Sequence, residues 1–174
     1  MDRGIYIVSG IPGAGKTTVS RLLASRFERG VHIESDTLQR LIVRGGLWPD
    51  EEPADEAERQ LRLRGRNAGM LADSYFEAGF TVVIDDVVIG SRVEEFRAQV
   101  RSRPLLFVML APDADVVRQR DEMRAEKHVF DKWGYLDEVM RSETPRVGLW
   151  IDSSGMTAEE TVEEILSRWE EAAV

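Results

Sequence analysis

Residues Gly10-Ile11-Pro12-Gly13-Ala14-Gly15-Lys16-Thr17 fit the pattern G-x-x-x-x-G-K-[ST] at every specified position, and this stretch limits what the chain can fold into. Before it, Ile5-Tyr6-Ile7-Val8 reads as a short buried strand. After it, Val19, Leu22 and Leu23 recur at helical spacing. In a strand–loop–helix of this kind the glycines let successive backbone N–H groups turn inward towards a polyphosphate, which the positive end of the following helix also attracts. Lys16 is placed to reach β- and γ-phosphates as a point charge, and the Thr17 hydroxyl to ligate Mg²⁺. Thr18 extends the same turn.

The remaining chain alternates strands with helices. Val31-His32-Ile33 is a second strand, following a helix that Gly30 closes as a C-terminal cap. His32 reads as a plain strand residue. Residues 37–43 read as a helix, and Gly45-Gly46 with Trp48 to Pro53 as a loop. A long helix is expected over 55–78, with Leu61, Ala68, Leu71, Ala72 and Tyr75 on its apolar face and Arg59, Arg62, Arg66, Asp73 and Glu77 opposite. Thr81 to Ile84 and Leu105 to Leu110 are wholly apolar, as strands buried on both faces are. A helix over 91–101 opens with Ser91 and Glu94 at capping-box spacing, another covers 113–124, a further one runs from Lys132 to Arg141, and Val147 to Ile151 forms the fifth strand. Thr157 and Glu160 form a capping box for the last helix. Five such strands predict a parallel sheet covered on both faces, with ligands bound beyond the carboxyl ends of the strands.

That rule gathers the other candidates. Asp36 comes just after the second strand, where a carboxylate can accept a proton from a substrate hydroxyl; the competing role is to cap the helix beginning at Thr37. Glu34 could hold a magnesium-bound water, and Arg40 lies one turn beyond Asp36, towards an acceptor. Asp85 ends its strand in the manner of a Walker-B carboxylate, with Asp86 and Val87 beside it facing a substrate. Arg118, Arg120, Arg124 and Lys127 form a basic cluster suited to a lid over about 118–132. Trp48, Trp133 and Trp150 sit near loops, Trp150 as a core residue.

Composition narrows the partners. The 174 residues carry a formal net charge of −9, a surface that disfavours nucleic acid, and no cysteine; a structural zinc site is thereby excluded. The length predicts one domain over residues 1–174, and no apolar run is long enough to span a bilayer. No signal peptide is apparent, so a cytoplasmic location is expected.

Taken together these residues resemble the P-loop small-molecule kinases over nearly the whole chain. The resemblance implies a three-layer α/β P-loop NTPase fold with a five-stranded parallel sheet, a helical lid and an acceptor-side helical region over about 37–78. Glu34-Ser35-Asp36 resembles the acidic strand end of shikimate- and gluconate-type kinases, and Arg120 through Lys127 their arginine-rich lid. In that lid Arg124-Ala125-Glu126-Lys127 lacks the usual glycine. Phe80 to Gly90 looks most like the corresponding segment of chloramphenicol phosphotransferase, and Ile151-Asp152-Ser153-Ser154-Gly155 like the segment approaching adenine. The resemblance further implies ATP- and Mg²⁺-dependent transfer of a γ-phosphate to a hydroxyl of a small molecule, which could be an antibiotic. Lys16 and the loop would hold phosphates, Thr17 and Asp85 metal, Asp36 the acceptor, and Arg120, Arg124 and Lys127 the transferred group. Nucleoside, nucleotide, polynucleotide-end and sugar-acid kinases are the alternatives. Outside enzymes, a nucleotide-binding regulatory module is the rival; a guanine switch is disfavoured because the only asparagine, Asn67, precedes Ala68 rather than the lysine of N-K-x-D.

Overall fold

A computed structural model describes residues 3–122 and 130–174. Its strands are β1 (Ile5–Ser9), β2 (Gly30–Glu34), β3 (Thr81–Asp85), β4 (Leu105–Leu110) and β5 (Leu149–Ile151). They form one all-parallel sheet in the order β2-β3-β1-β4-β5. Every residue of β1, β3 and β4 is buried, which explains their continuous apolar runs.

The helices are α1 (Lys16–Ser25), α2 (Ser35–Arg40), α3 (Ala54–Glu77), α4 (Arg92–Gln99), α5 (Ala114–Glu122), α6 (Phe130–Trp133), α7 (Leu136–Glu143) and α8 (Ala158–Ser167), with a 3₁₀ turn at Trp169–Ala172. From β1 to β2 the chain travels one way along the sheet, and from β2 onward it travels back. Right-handed crossovers therefore put α1 on one face and the later connections on the other. The packing agrees, since α1 lies against α8 while α3 lies against α2 and α4. Among the described residues no helix is long and apolar enough to cross a membrane.

Several local expectations need correcting. Gly30 has no left-handed conformation and caps nothing; Arg26 ends α1, and Gly30 opens β2. It is glycine because a Cβ would stand 1.8 Å from the Ala24 carbonyl oxygen. The helix expected over 37–43 is α2, which starts at Ser35, directly on the end of β2. Ser91 makes no capping hydrogen bond, and α4 ends at Gln99. The helix expected from Lys132 to Arg141 is divided into α6 and α7, and the fifth strand begins at Leu149 rather than Val147. The Thr157–Glu160 capping box is present with both of its hydrogen bonds.

The buried stripe of α3 is Ala57, Gln60, Leu61, Arg64, Gly65, Ala68, Gly69, Ala72 and Asp73. Leu71 and Tyr75 are exposed instead, and Asp73, expected on the outer face, is buried. The reason is polar: the Asp73 carboxylate accepts the backbone N–H of Ser102 at 2.8 Å and of Arg101 at 3.1 Å, fastening the turn before β4. Burial raises the Asp73 carboxyl, but the Ser102 and Arg101 donors outweigh it and hold the group below its usual range. A group depressed in this way stabilises the fold above its unfolded pKa and loses that effect as pH falls. Asp73→Ala should lower unfolding free energy by about 2 kcal/mol at neutral pH in urea titrations. The gap to the parent should narrow below about pH 4.

Candidate phosphate and acceptor site

The register of β1 against β3 and β4 brings the loop after β1 to the same carboxyl end of the sheet as the ends of β2 and β3. Within the loop Gly10, Gly13 and Gly15 have φ of 150°, 93° and 94°, the last being the N-cap of α1. Side chains rarely adopt these angles. Ile11 and Ala14 are buried and pin the loop to the core, while Pro12 is half-buried and Thr18 is exposed at the start of α1. At Gly13 a Cβ would also stand 2.7 Å from Cγ1 of Val117, a fully buried residue of α5. Lys16 bends back over the loop, its Nζ donating to the Ile11 carbonyl oxygen at 3.1 Å.

Thr17 Oγ1 donates to Asp85 Oδ2 at 2.9 Å, so the hydroxyl at the start of α1 meets the carboxylate ending β3. A hydroxyl beside a carboxylate is an oxygen donor pair that suits Mg²⁺, which takes few protein ligands and completes its shell with water and phosphate. Among the described residues no cluster of three or more His, Asp or Glu side chains forms a metal cage. The other Asp85 oxygen, Oδ1, lies 2.5 Å from His32 Nε2. His32 is thus more than the plain strand residue expected of it. Periodicity gives no hint of this contact, because it crosses from β2 to β3.

Asp36 is the second residue of α2, inside the helix and not at its N-cap, which is Glu34. The capping role is thereby removed, and the Asp36 side chain is 41% exposed. Glu34 is turned towards α2, accepting from Thr37 Oγ1 at 3.4 Å and pairing with Arg40 at 3.9 Å. Arg40 is otherwise exposed. Asp86 is not open to a substrate: it is buried, and its Oδ1 accepts from Arg64 Nη2 at 2.6 Å and from the Val87 N–H at 2.7 Å. Arg64 Nη1 lies 3.4 Å from Asp36 Oδ1. Next to this group Arg92 donates to the Val87 carbonyl at 2.7 Å, and burial pulls its guanidinium below the ordinary arginine range.

Arg64 escapes a reading of the sequence, although it occupies the same stripe as Leu61 and Ala68. An arginine on an apolar stripe signals a buried partner.

On the far side, Arg120 Nη2 donates to the carbonyls of Ser153 at 2.8 Å and Ser154 at 3.3 Å, joining α5 to the segment after β5. Arg118 pairs within its own helix with Asp115 at 3.7 Å. Arg124 and Lys127 lie outside the described residues. Trp150 packs on the core under the Arg146 guanidinium, 3.9 Å from the ring centroid.

The strand order, the all-parallel sheet and the loop after its central strand define a P-loop NTPase fold. The chain belongs to the AAA_33 family (AAA domain), whose profile matches residues 5–134. A UPF0200 protein from Aeropyrum pernix is 32% identical over 111 residues, covering 62% of this chain and 57% of that relative. Among solved structures, a sugar kinase from Janibacter sp. HTCC2649 matches with a TM-score of 0.70 at 20% identity, over 99% of this chain and 96% of its own. A gluconokinase from Sinorhizobium meliloti 1021 matches with a TM-score of 0.65 at 21% identity, over 99% and 95%. At these identities the likeness is one of fold.

Because Gly13 is restricted both by its φ and by Val117, Gly13→Ala should cost about 2 kcal/mol of stability. Thermal unfolding of the variant should begin several degrees below that of the parent.

Proposed function

We propose that this chain is an ATP- and Mg²⁺-dependent phosphotransferase acting on a hydroxyl of a small molecule. The observation that carries the reading is the meeting, at the carboxyl end of the sheet, of the glycine loop, the Thr17–Asp85 pair and a part-exposed Asp36 carboxylate that does not serve as a cap. The loop amides from Gly10 to Thr18 and Lys16 would hold the β- and γ-phosphates, and Thr17 and Asp85 the metal, with Glu34 near its water shell. Bound magnesium would neutralise phosphate charge. Asp36 would take the proton of the attacking hydroxyl, Arg40 would flank the acceptor, and Arg120, Arg124 and Lys127 would neutralise the charge of the transferred group. Catalysis of this kind comes from positioning and charge neutralisation.

The kinases of similar fold support phosphotransfer to a small hydroxyl compound. The likeness of residues 80–90 to chloramphenicol phosphotransferase keeps an antibiotic hydroxyl in the acceptor set. Asp86 contributes to either acceptor through Arg64 and not by direct contact. The test is a screen of sugars, sugar acids, nucleosides and chloramphenicol with labelled ATP, followed by two variants. Asp36→Ala should retain ATP affinity and lose transfer by about 10²-fold or more. Lys16→Ala should instead weaken nucleotide binding itself. Saturable ATP binding with no phosphorylated product from any compound would overturn the enzyme reading in favour of a nucleotide-binding module.

A further inference from the structure

We infer that Arg64 and Asp86 form a positioning pair for Asp36: Asp86 anchors the guanidinium, and the guanidinium aims the part-exposed carboxylate. This rests on Asp36 being the acceptor-side base.

The three groups are graded in exposure. The side chain of Asp86 is 1% exposed, that of Arg64 5% and that of Asp36 41%. One end of the chain of contacts is therefore sealed in the core, and the other reaches solvent. The sealed end is rigid, because Asp86 Oδ1 takes both Arg64 Nη2 at 2.6 Å and the Val87 N–H at 2.7 Å, directly after β3. Arg64 itself projects from the buried stripe of α3, the longest helix described. Side chains held by strand and helix in this way keep a narrower geometry than side chains on loops.

The orientation of the guanidinium is informative. A buried arginine and a carboxylate ordinarily close a two-pronged fork, with two parallel N–H···O contacts. Here the fork is open: Arg64 Nε and Asp86 Oδ2 are both buried and neither has a hydrogen-bond partner among the described residues. The guanidinium forgoes the second contact while its Nη1 edge faces Asp36 Oδ1 at 3.4 Å. A pair present only for stability would gain by closing. The 3.4 Å separation suits a contact that tightens when an acceptor arrives and leaves Asp36 Oδ2 to receive the hydroxyl.

The test uses the full chain and the variants Arg64→Met, Arg64→Lys and Asp86→Asn, the last keeping shape should Arg64→Met fail to fold. In crystal structures the parent should show one Asp36 rotamer against Arg64, and Asp86→Asn should show Asp36 turned away or split, with α2 unmoved. With labelled ATP and water as the acceptor probe, Asp86→Asn and Arg64→Met should lower kcat about 10-fold or more while KM for ATP stays within about twofold. Millimolar guanidinium should restore part of the loss in Arg64→Met, which no purely structural role predicts. An unchanged Asp36 rotamer and unchanged kcat in Asp86→Asn overturns the pairing. Displaced rotamers together with an Asp36→Ala variant of parental turnover supports the geometry and overturns Asp36 as base.

Discussion

The pairing of β1 with β3, Val8 opposite Asp85, is the constraint on which the candidate site depends. It stands the last carboxylate of β3 beside the turn that leaves β1, and the first turn of α1 brings the Thr17 hydroxyl to it. A slip of one residue would point Asp85 to the other face of the sheet. The register is secured by burial, since β1 has neighbours on both sides and no residue in contact with water. The apolar character of Ile5 to Val8 and the chemistry at residue 85 are therefore parts of one arrangement.

The Asp36 side of the candidate site depends on a different economy of chain. β2 passes into α2 with no linker, so Glu34 and Asp36 leave a strand edge and enter a helix within two residues. Glu34 becomes occupied with α2 through Thr37 and Arg40, while Asp36 stays part-exposed beside Arg64. Two acids two positions apart meet different partners because the backbone changes its period between them.

Much of this is legible in the residues alone. The apolar runs at 81–84 and 105–110 and the glycine spacing at 10–15 answer to one-dimensional rules, because burial on both faces and positive φ leave direct marks on residue choice. The Thr157–Glu160 box is similarly local. Features that join distant parts of the chain are not legible. Asp73 binding the Ser102 amide, His32 meeting Asp85, and Arg120 meeting the Ser153 carbonyl each join residues more than twenty-five positions apart. Gly30 misleads because a forbidden contact and a left-handed cap select the same amino acid. Arg64 stands between the two kinds: its helical phase is visible, but the partner that makes its burial tolerable is not.

The bend of Lys16 onto the Ile11 carbonyl has an entropic consequence. A lysine waving in solvent must give up about 2 kcal/mol of rotational freedom when an anion captures it. Here the ammonium already rests on an oxygen of its own loop, so that freedom was surrendered when the chain folded. In the proposed function a phosphate would take the place of the Ile11 oxygen, and the stem of the side chain would need little search to reach it.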